Sequence, residues 1–193
     1  GAHQFTNNLA EFFSANKHYV TRDLEPNIDL ILIVVNHNSL LTSFSLKDIY
    51  HFKKAYPSTV IIQRVNASDE QRGGNTRQNQ YIENARVLSD HTIFVSKFMK
   101  NFWIKKNPLF KRKSSVILNG SNGKIFSKSK RNVGKKKIKI ITHHWSKNFL
   151  KGFDIYQRFD EMLEKSLLKN KVEYIYLGNI PDGFELNNTK IIK

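Results

Sequence analysis

Apolar and polar positions run along the chain in blocks, some short enough for strands and others long enough for helices. Over residues 3–17, Phe5, Leu9, Phe12 and Phe13 recur at helical spacing and predict an opening helix. Residues 29–36 (DLILIVVN) form a continuous apolar run closed by polar residues, the pattern of a strand covered on both faces. Residues 45–56 read as a helix, with Ser45 as N-cap, Asp48 at the capping-box position and Pro57 as the stop. A strand over 58–66, a helix over 76–89 and a strand over 91–96 follow. Then come an amphipathic helix over 97–106 and a strand over 114–119 that ends in the turn dipeptide Asn119-Gly120. After residues 120–136, which are poor in apolar types, a strand over 137–142, a helix over 152–168 and a strand over 172–177 complete the pattern. No internal repeat is visible. Strands alternating with helices predict an α/β fold with parallel sheets and helices on both faces. In such folds ligands bind in the loops at the carboxyl ends of strands.

Composition narrows the classes. With 193 residues, 39% of them hydrophobic and 25% charged, the chain has globular composition and suits one ordinary domain or two small ones. It contains no cysteine, which excludes a disulfide framework, zinc-finger cysteines and a thiol nucleophile. The longest purely apolar run, residues 30–35, is far too short to span a bilayer, and the first residues do not read as a signal peptide. The net charge of +16 is concentrated: residues 91–153 hold seventeen basic side chains and no acidic one. That block points to an anionic partner, whether nucleic acid, phospholipid headgroups or a phosphorylated small molecule. A chain rich in Lys, Asn and Ile also acquires lysines as plain solvated surface.

Three polar loops stand at predicted strand ends: Asn36-His37-Asn38, residues 66–75 and residues 142–152. The second carries Asp69 and Glu70 with Arg72 nearby. These carboxylates read either as functional acids or as a solvated loop that Arg72 neutralises. The third, THHWSKNFLKG, leads from a strand into a helix whose first turn follows Lys151-Gly152. A helix N-terminus with unbonded N–H groups, a nearby lysine and a glycine is a sound phosphate site, although no Walker pattern is present. The pair His143-His144 invites a metal reading that no HExxH pattern or cysteine supports; the structural alternative is a histidine packed on Trp145 and capping the helix. The helix over 97–106 sets Phe98, Met99, Phe102 and Trp103 against Lys97, Lys100, Lys105 and Lys106. It reads either as a core helix with a basic outer face or as a basic-aromatic membrane-surface helix.

The ordered set IIQRVNASDEQRGGN, DHTIFVSKFM, VILNG, ITHHWSKNFLKGFDIY and YIYLGNIP resembles the family 4 glycosyltransferases, in particular a bacterial subgroup with a HHWSxNxxKG-type loop. The resemblance covers essentially the whole chain, and HHWSKNFLKG is its most specific part. It implies a GT-B fold of two Rossmann-like domains. Residues 1–119 would form the acceptor-side domain without its first strand, 120–136 the linker, and 137–193 the truncated start of the nucleotide-sugar donor domain. It implies a retaining hexosyltransferase that moves sugar from a nucleoside diphosphate to a glycan or lipid-linked acceptor. Such enzymes need no metal or other cofactor and would work in the cytoplasm, at the inner membrane face. Lys151 would meet the leaving diphosphate. His143, His144, Ser146, Asn148, Gly152 and Gly178 would line the donor pocket, with Asp69 and Glu70 as further catalytic candidates. Gly1, Ala2, His3, Asn66 and Arg72 would approach the phosphates or acceptor. The usual arginine before the Lys-Gly pair is missing unless a histidine or Lys147 replaces it, and Ser121-Asn122 stand where an aspartate commonly follows Asn-Gly. The acidic E-x7-E region is also missing, so the resemblance implies an inactive piece of a larger enzyme. The rival reading is a basic module binding a membrane surface or nucleic acid without catalysis; no RRM, KH or OB signature favours nucleic acid.

Overall fold

A computed structural model describes residues 2–34, 44–74, 77–121, 123, 137–165, 168 and 170–192; of Ala2, His3 and Arg72 it describes the backbone alone. The loop Asn36-His37-Asn38 and Gly1 lie outside the described residues, as does the expected linker apart from 120, 121 and 123. The chain divides into two compact units, Gly1–Ser121 and Asn122–Lys193.

The first unit runs α1 (Ala2–Ala15), β1 (Leu30–Ile33), α2 (Leu46–Ala55), β2 (Val60–Val65), α3 (Gln78–Leu88), β3 (His91–Phe94), α4 (Lys97–Lys106) and β4 (Ser114–Val116). Its strands are all parallel and adjacent in chain order, β1-β2-β3-β4. The α/β class and the parallel sheet are as the sequence predicts. The distribution of helices is less even than expected. Parallel crossovers are right-handed, so a sheet that always adds strands in one direction carries its connecting helices on one face. Ile31, Ile33, Ile61 and Val65 alternate onto that face and pack, with Phe94, under Ile49 and Phe52 of α2, Ile82 and Ala85 of α3, and Met99 and Trp103 of α4. Arg64 points the other way, where Phe5 of α1 lies against it.

Local signals explain several boundaries. Ser45 caps α2 with the capping box formed, its Oγ accepting from the Asp48 N–H while the Asp48 carboxylate accepts from the Ser45 N–H at 2.7 Å. Ser96 caps α4 by accepting from the Met99 N–H at 3.1 Å. In α4, Met99 and Trp103 are buried, which supports the core-facing reading of this helix. Phe98 departs from the predicted apolar side: it is 67% exposed, one residue out of phase with the buried stripe.

The second unit comprises β5 (Ile138–His144), α5 (Phe153–Lys165), β6 (Val172–Gly178) and β7 (Lys190–Ile192), again parallel and in chain order. α5 lays Phe153 on Tyr176, with Leu186 completing a small core. The buried Asp160 of α5 accepts from the N–H groups of Asn187 and Asn188 at 2.9 Å and from the Thr189 hydroxyl, so it fixes the connection into β7. The far face of the sheet exposes Ile141 and, to a lesser degree, Leu177 and Ile192. No described helix is long and apolar enough to cross a membrane.

Candidate functional site

The second unit builds its strand-end loop tightly. β5 extends to His144, two residues beyond the predicted strand, and β6 ends beside it at Gly178. Gly178 has φ +121°, and a Cβ there would lie 2.3 Å from the His144 carbonyl oxygen; only glycine lets the two strand ends approach this closely. The Asn179 N–H donates to that same carbonyl at 3.1 Å. Its side-chain amide donates to the Trp145 carbonyl at 2.8 Å, and the Tyr176 hydroxyl donates to the Asn179 carbonyl at 2.8 Å. The start of the loop is therefore pinned to the end of β6.

Successive strand residues face opposite sides, so His143 and His144 diverge and do not chelate one ion together. Nδ1 of His144 lies 2.9 Å from the Ser146 N–H nitrogen and 3.1 Å from the Ser146 carbonyl oxygen, so the ring packs on the backbone of the loop. His144 thus caps loop backbone rather than the helix. Trp145 is 71% exposed, contrary to the expectation that a histidine packs on it. Ser146 Oγ accepts from the Asn148 N–H at 3.1 Å, and Asn148 Oδ1 accepts from the Leu150 N–H at 3.0 Å, opening a short 3₁₀ turn over Phe149–Lys151. These polar side chains shape the loop.

Two lysines flank the turn with different fates. Lys147 pairs with Asp182 at 2.6 Å and holds that carboxyl below its ordinary range. Lys151 is exposed and forms no ion pair among the described residues. Its carbonyl accepts from the Tyr156 hydroxyl at 3.0 Å, which fixes the backbone beneath the ammonium. Gly152 (φ +93°) turns the chain directly into α5; the Ile155 and Tyr156 N–H groups donate to the Gly152 carbonyl at 3.0 Å, those of Phe153 and Asp154 form no hydrogen bond among the described residues, and the first turn carries one carboxylate, Asp154.

In the first unit the loop after β2 has another character. The Asp69 carboxylate accepts from the N–H groups of Gln78 and Asn79, each at 3.1 Å, while its own N–H donates to Asn79 Oδ1 at 3.0 Å. It caps α3 from nine residues upstream, because Arg77 at the cap position is left-handed (φ 59°) and offers no side-chain cap. Glu70 accepts from Lys106 of α4 at 2.7 Å and from the Asn79 amide. The Lys106 bond is the main reason its carboxyl is lowered to about 2. Lys106 is thus the cation seen on Glu70; the expected neutralisation by Arg72 lies outside the described side chains. Asn66 is half-buried just beyond β2.

A residue the sequence reading passed over is Arg64. It is 6% exposed at the carboxyl end of β2, with its guanidinium 3.9 Å from the Phe5 ring centre and Nη2 donating to Asn119 Oδ1 at 2.6 Å. It ties the first turn of α1 to the Asn119-Gly120 turn. A charged residue inside the apolar run VIIQRV was the available signal. The described residues contain no group of three or more His, Asp or Glu side chains placed to hold a metal ion.

No family model matches this chain, and no curated protein matches it. Among solved structures, the S. aureus MnaA–UDP co-structure aligns over 92% of this chain with 14% identity and a TM-score of 0.43. The chain spans 46% of that structure's chain, less than half its length. A superposition of this quality assigns no activity.

Proposed function

We propose that the loop 145–152 of the second unit binds the diphosphate of a nucleotide-sugar donor, and that the chain belongs to a retaining sugar transferase acting on a glycan or lipid-linked acceptor. The observation that carries this reading is Lys151: a cation with no ion pair among the described residues, on a fixed backbone, one residue before a left-handed glycine and the N-terminus of α5. A helix start attracts phosphate through its unbonded N–H groups and its dipole, and Lys151 adds the formal charge. In the reaction, the bond between the anomeric carbon and the diphosphate oxygen breaks, and that oxygen leaves with the electron pair. The acceptor hydroxyl oxygen forms the new bond to the anomeric carbon, and its proton passes to the departing diphosphate oxygen. Lys151 and the α5 amides stabilise the charge growing on the leaving diphosphate. The order of motifs along the sequence supports the same reading. In it Asp69 and Glu70, engaged with α3 and Lys106, hold their loop.

The test is a calorimetric titration with UDP. Saturable binding that weakens at least about tenfold in Lys151→Ala, and little in Lys147→Ala, supports the reading; absence of saturable binding to the wild-type chain overturns it. Where turnover is assayed, Lys151→Ala lowers it roughly 10²-fold, the scale of losing one positioned charge donor. A second reading, peripheral association with an anionic membrane surface, draws on Phe98, exposed on α4 with Lys97 and Lys105. Co-sedimentation with anionic vesicles that survives Phe98→Ala unchanged would remove it.

A further inference from the structure

At the amino-terminal end of β3 and β4, the opposite end of this sheet from loop 66–74, lies a cavity of about 190 Å³ lined by Arg86, Ser89, Thr92, Leu109, Arg112 and Lys113. Three of the six lining residues are cations and none is acidic. We propose that this cavity binds a tetrahedral oxyanion of the phosphate type, as inorganic phosphate or a phosphomonoester.

The nearby carboxylates are already engaged. Glu83 meets Arg86 only at Nε, 3.4 Å away, and the same carboxylate oxygen accepts from the Asn107 amide at 2.7 Å. The two terminal nitrogens of Arg86 form no hydrogen bond among the described residues. Asp90 accepts through Oδ2 from the Ile61 N–H at 2.9 Å and from Lys53 at 3.2 Å, and Lys113 acts on this carboxyl only at longer range. Arg112 and Lys113 form no ion pair among the described residues. The Thr92 hydroxyl is tied to the buried Gln63 amide at 3.1 Å, and the Ser89 hydroxyl donates to the Ala85 carbonyl. The donors left for a ligand are two guanidinium groups and an ammonium, the groups a phosphate dianion accepts best.

The backbone fixes where one of these cations starts: Lys113 has φ +50°, a left-handed conformation that glycine or asparagine adopts at lower cost, and the Thr92 N–H donates to its carbonyl at 2.9 Å. The competing explanation is that these cations serve only the carbonyl end of α3. That account predicts a stability role and no ligand.

Titration calorimetry with inorganic phosphate at constant ionic strength separates the two. We expect saturable binding that weakens at least about tenfold in Arg112→Gln/Lys113→Gln and is unchanged in Lys97→Gln/Lys105→Gln, which removes the same charge from the exposed side of α4. Equal weakening in both double variants, or no saturable binding in the wild type, overturns the proposal. Lys113→Gly guards against a variant that misfolds. It relieves the left-handed residue, so it melts no lower than wild type while losing phosphate affinity; retained affinity contradicts the site. Vesicles of phosphatidylcholine with phosphatidic acid identify the source. Co-sedimentation lost in Arg112→Gln/Lys113→Gln assigns a lipid-borne phosphate, and phosphate binding without co-sedimentation assigns a free one.

Discussion

The loops that follow β2 and β5 occupy equivalent places, each at the carboxyl end of a parallel strand and each leading toward a helix, yet they use their polar residues differently. After β2 the two carboxylates are engaged within the protein: Asp69 caps α3 and Glu70 pairs with Lys106. After β5 an imidazole and two uncharged polar side chains shape the loop. His144, Ser146 and Asn148 hold the backbone, Lys147 is matched by Asp182, and Lys151 is left as a cation without an ion pair among the described residues. The lesson is that density of charged residues in a loop is a poor guide to ligand capacity. Capacity resides in groups whose charge the fold has not already compensated.

The strongest way to break the comparison is at the glycines that shape the second loop. Gly178→Ala places a methyl against the His144 carbonyl and should destabilise the second unit by roughly 3 kcal/mol or more. Gly152→Ala meets only Tyr156 at an ordinary 3.7 Å, so its cost is the left-handed backbone alone, about 1–2 kcal/mol. Urea denaturation of the two variants should rank them in that order, and equal costs would contradict the close-approach explanation. Next in size, Asp69→Ala removes the cap of α3 and should cost about 1 kcal/mol in the same assay. An unchanged midpoint would return Asp69 to the set of uncommitted carboxylates.

The smallest effect is a pH dependence. Glu70 titrates at about 2 in the folded protein against an ordinary 4.5, chiefly because of Lys106. A lowered folded pKa contributes stability above the unfolded value and loses it as pH falls through the folded one, so this contribution fades between pH about 4.5 and about 2. The side chain is half exposed, so solvent screening keeps the effect small. Glu70→Gln should flatten the acid limb of a stability–pH curve slightly, and a steeper limb would contradict the pairing.

What the sequence made legible was local. The Ser45 and Asp48 capping box lies within one helical turn, and the apolar runs of β1 and β2 by themselves mark buried parallel strands. What it hid was non-local. The cap from Asp69 spans nine residues, Lys106 reaches Glu70 from another helix, and the Arg64–Asn119 bond joins positions fifty-five apart. The polar pair His143-His144 looked like loop because the parallel ladder to Leu177 and Gly178 that makes it strand is set by the partner strand. β7, three residues long, is too short for any periodicity to reveal. At the candidate site, the Lys151-Gly152 step into α5 could be read directly, whereas the pairing of Lys147 with Asp182, thirty-five residues on, could not.

The central claim is that loop 145–152 and the first turn of α5 take a diphosphate. Backbone amide mapping by NMR during a UDP titration addresses it directly. The account predicts saturable shifts centred on Lys151, Gly152, Phe153 and Asp154 that disappear in Lys151→Ala. Shifts confined to other parts of the chain, or undiminished in that variant, would contradict it.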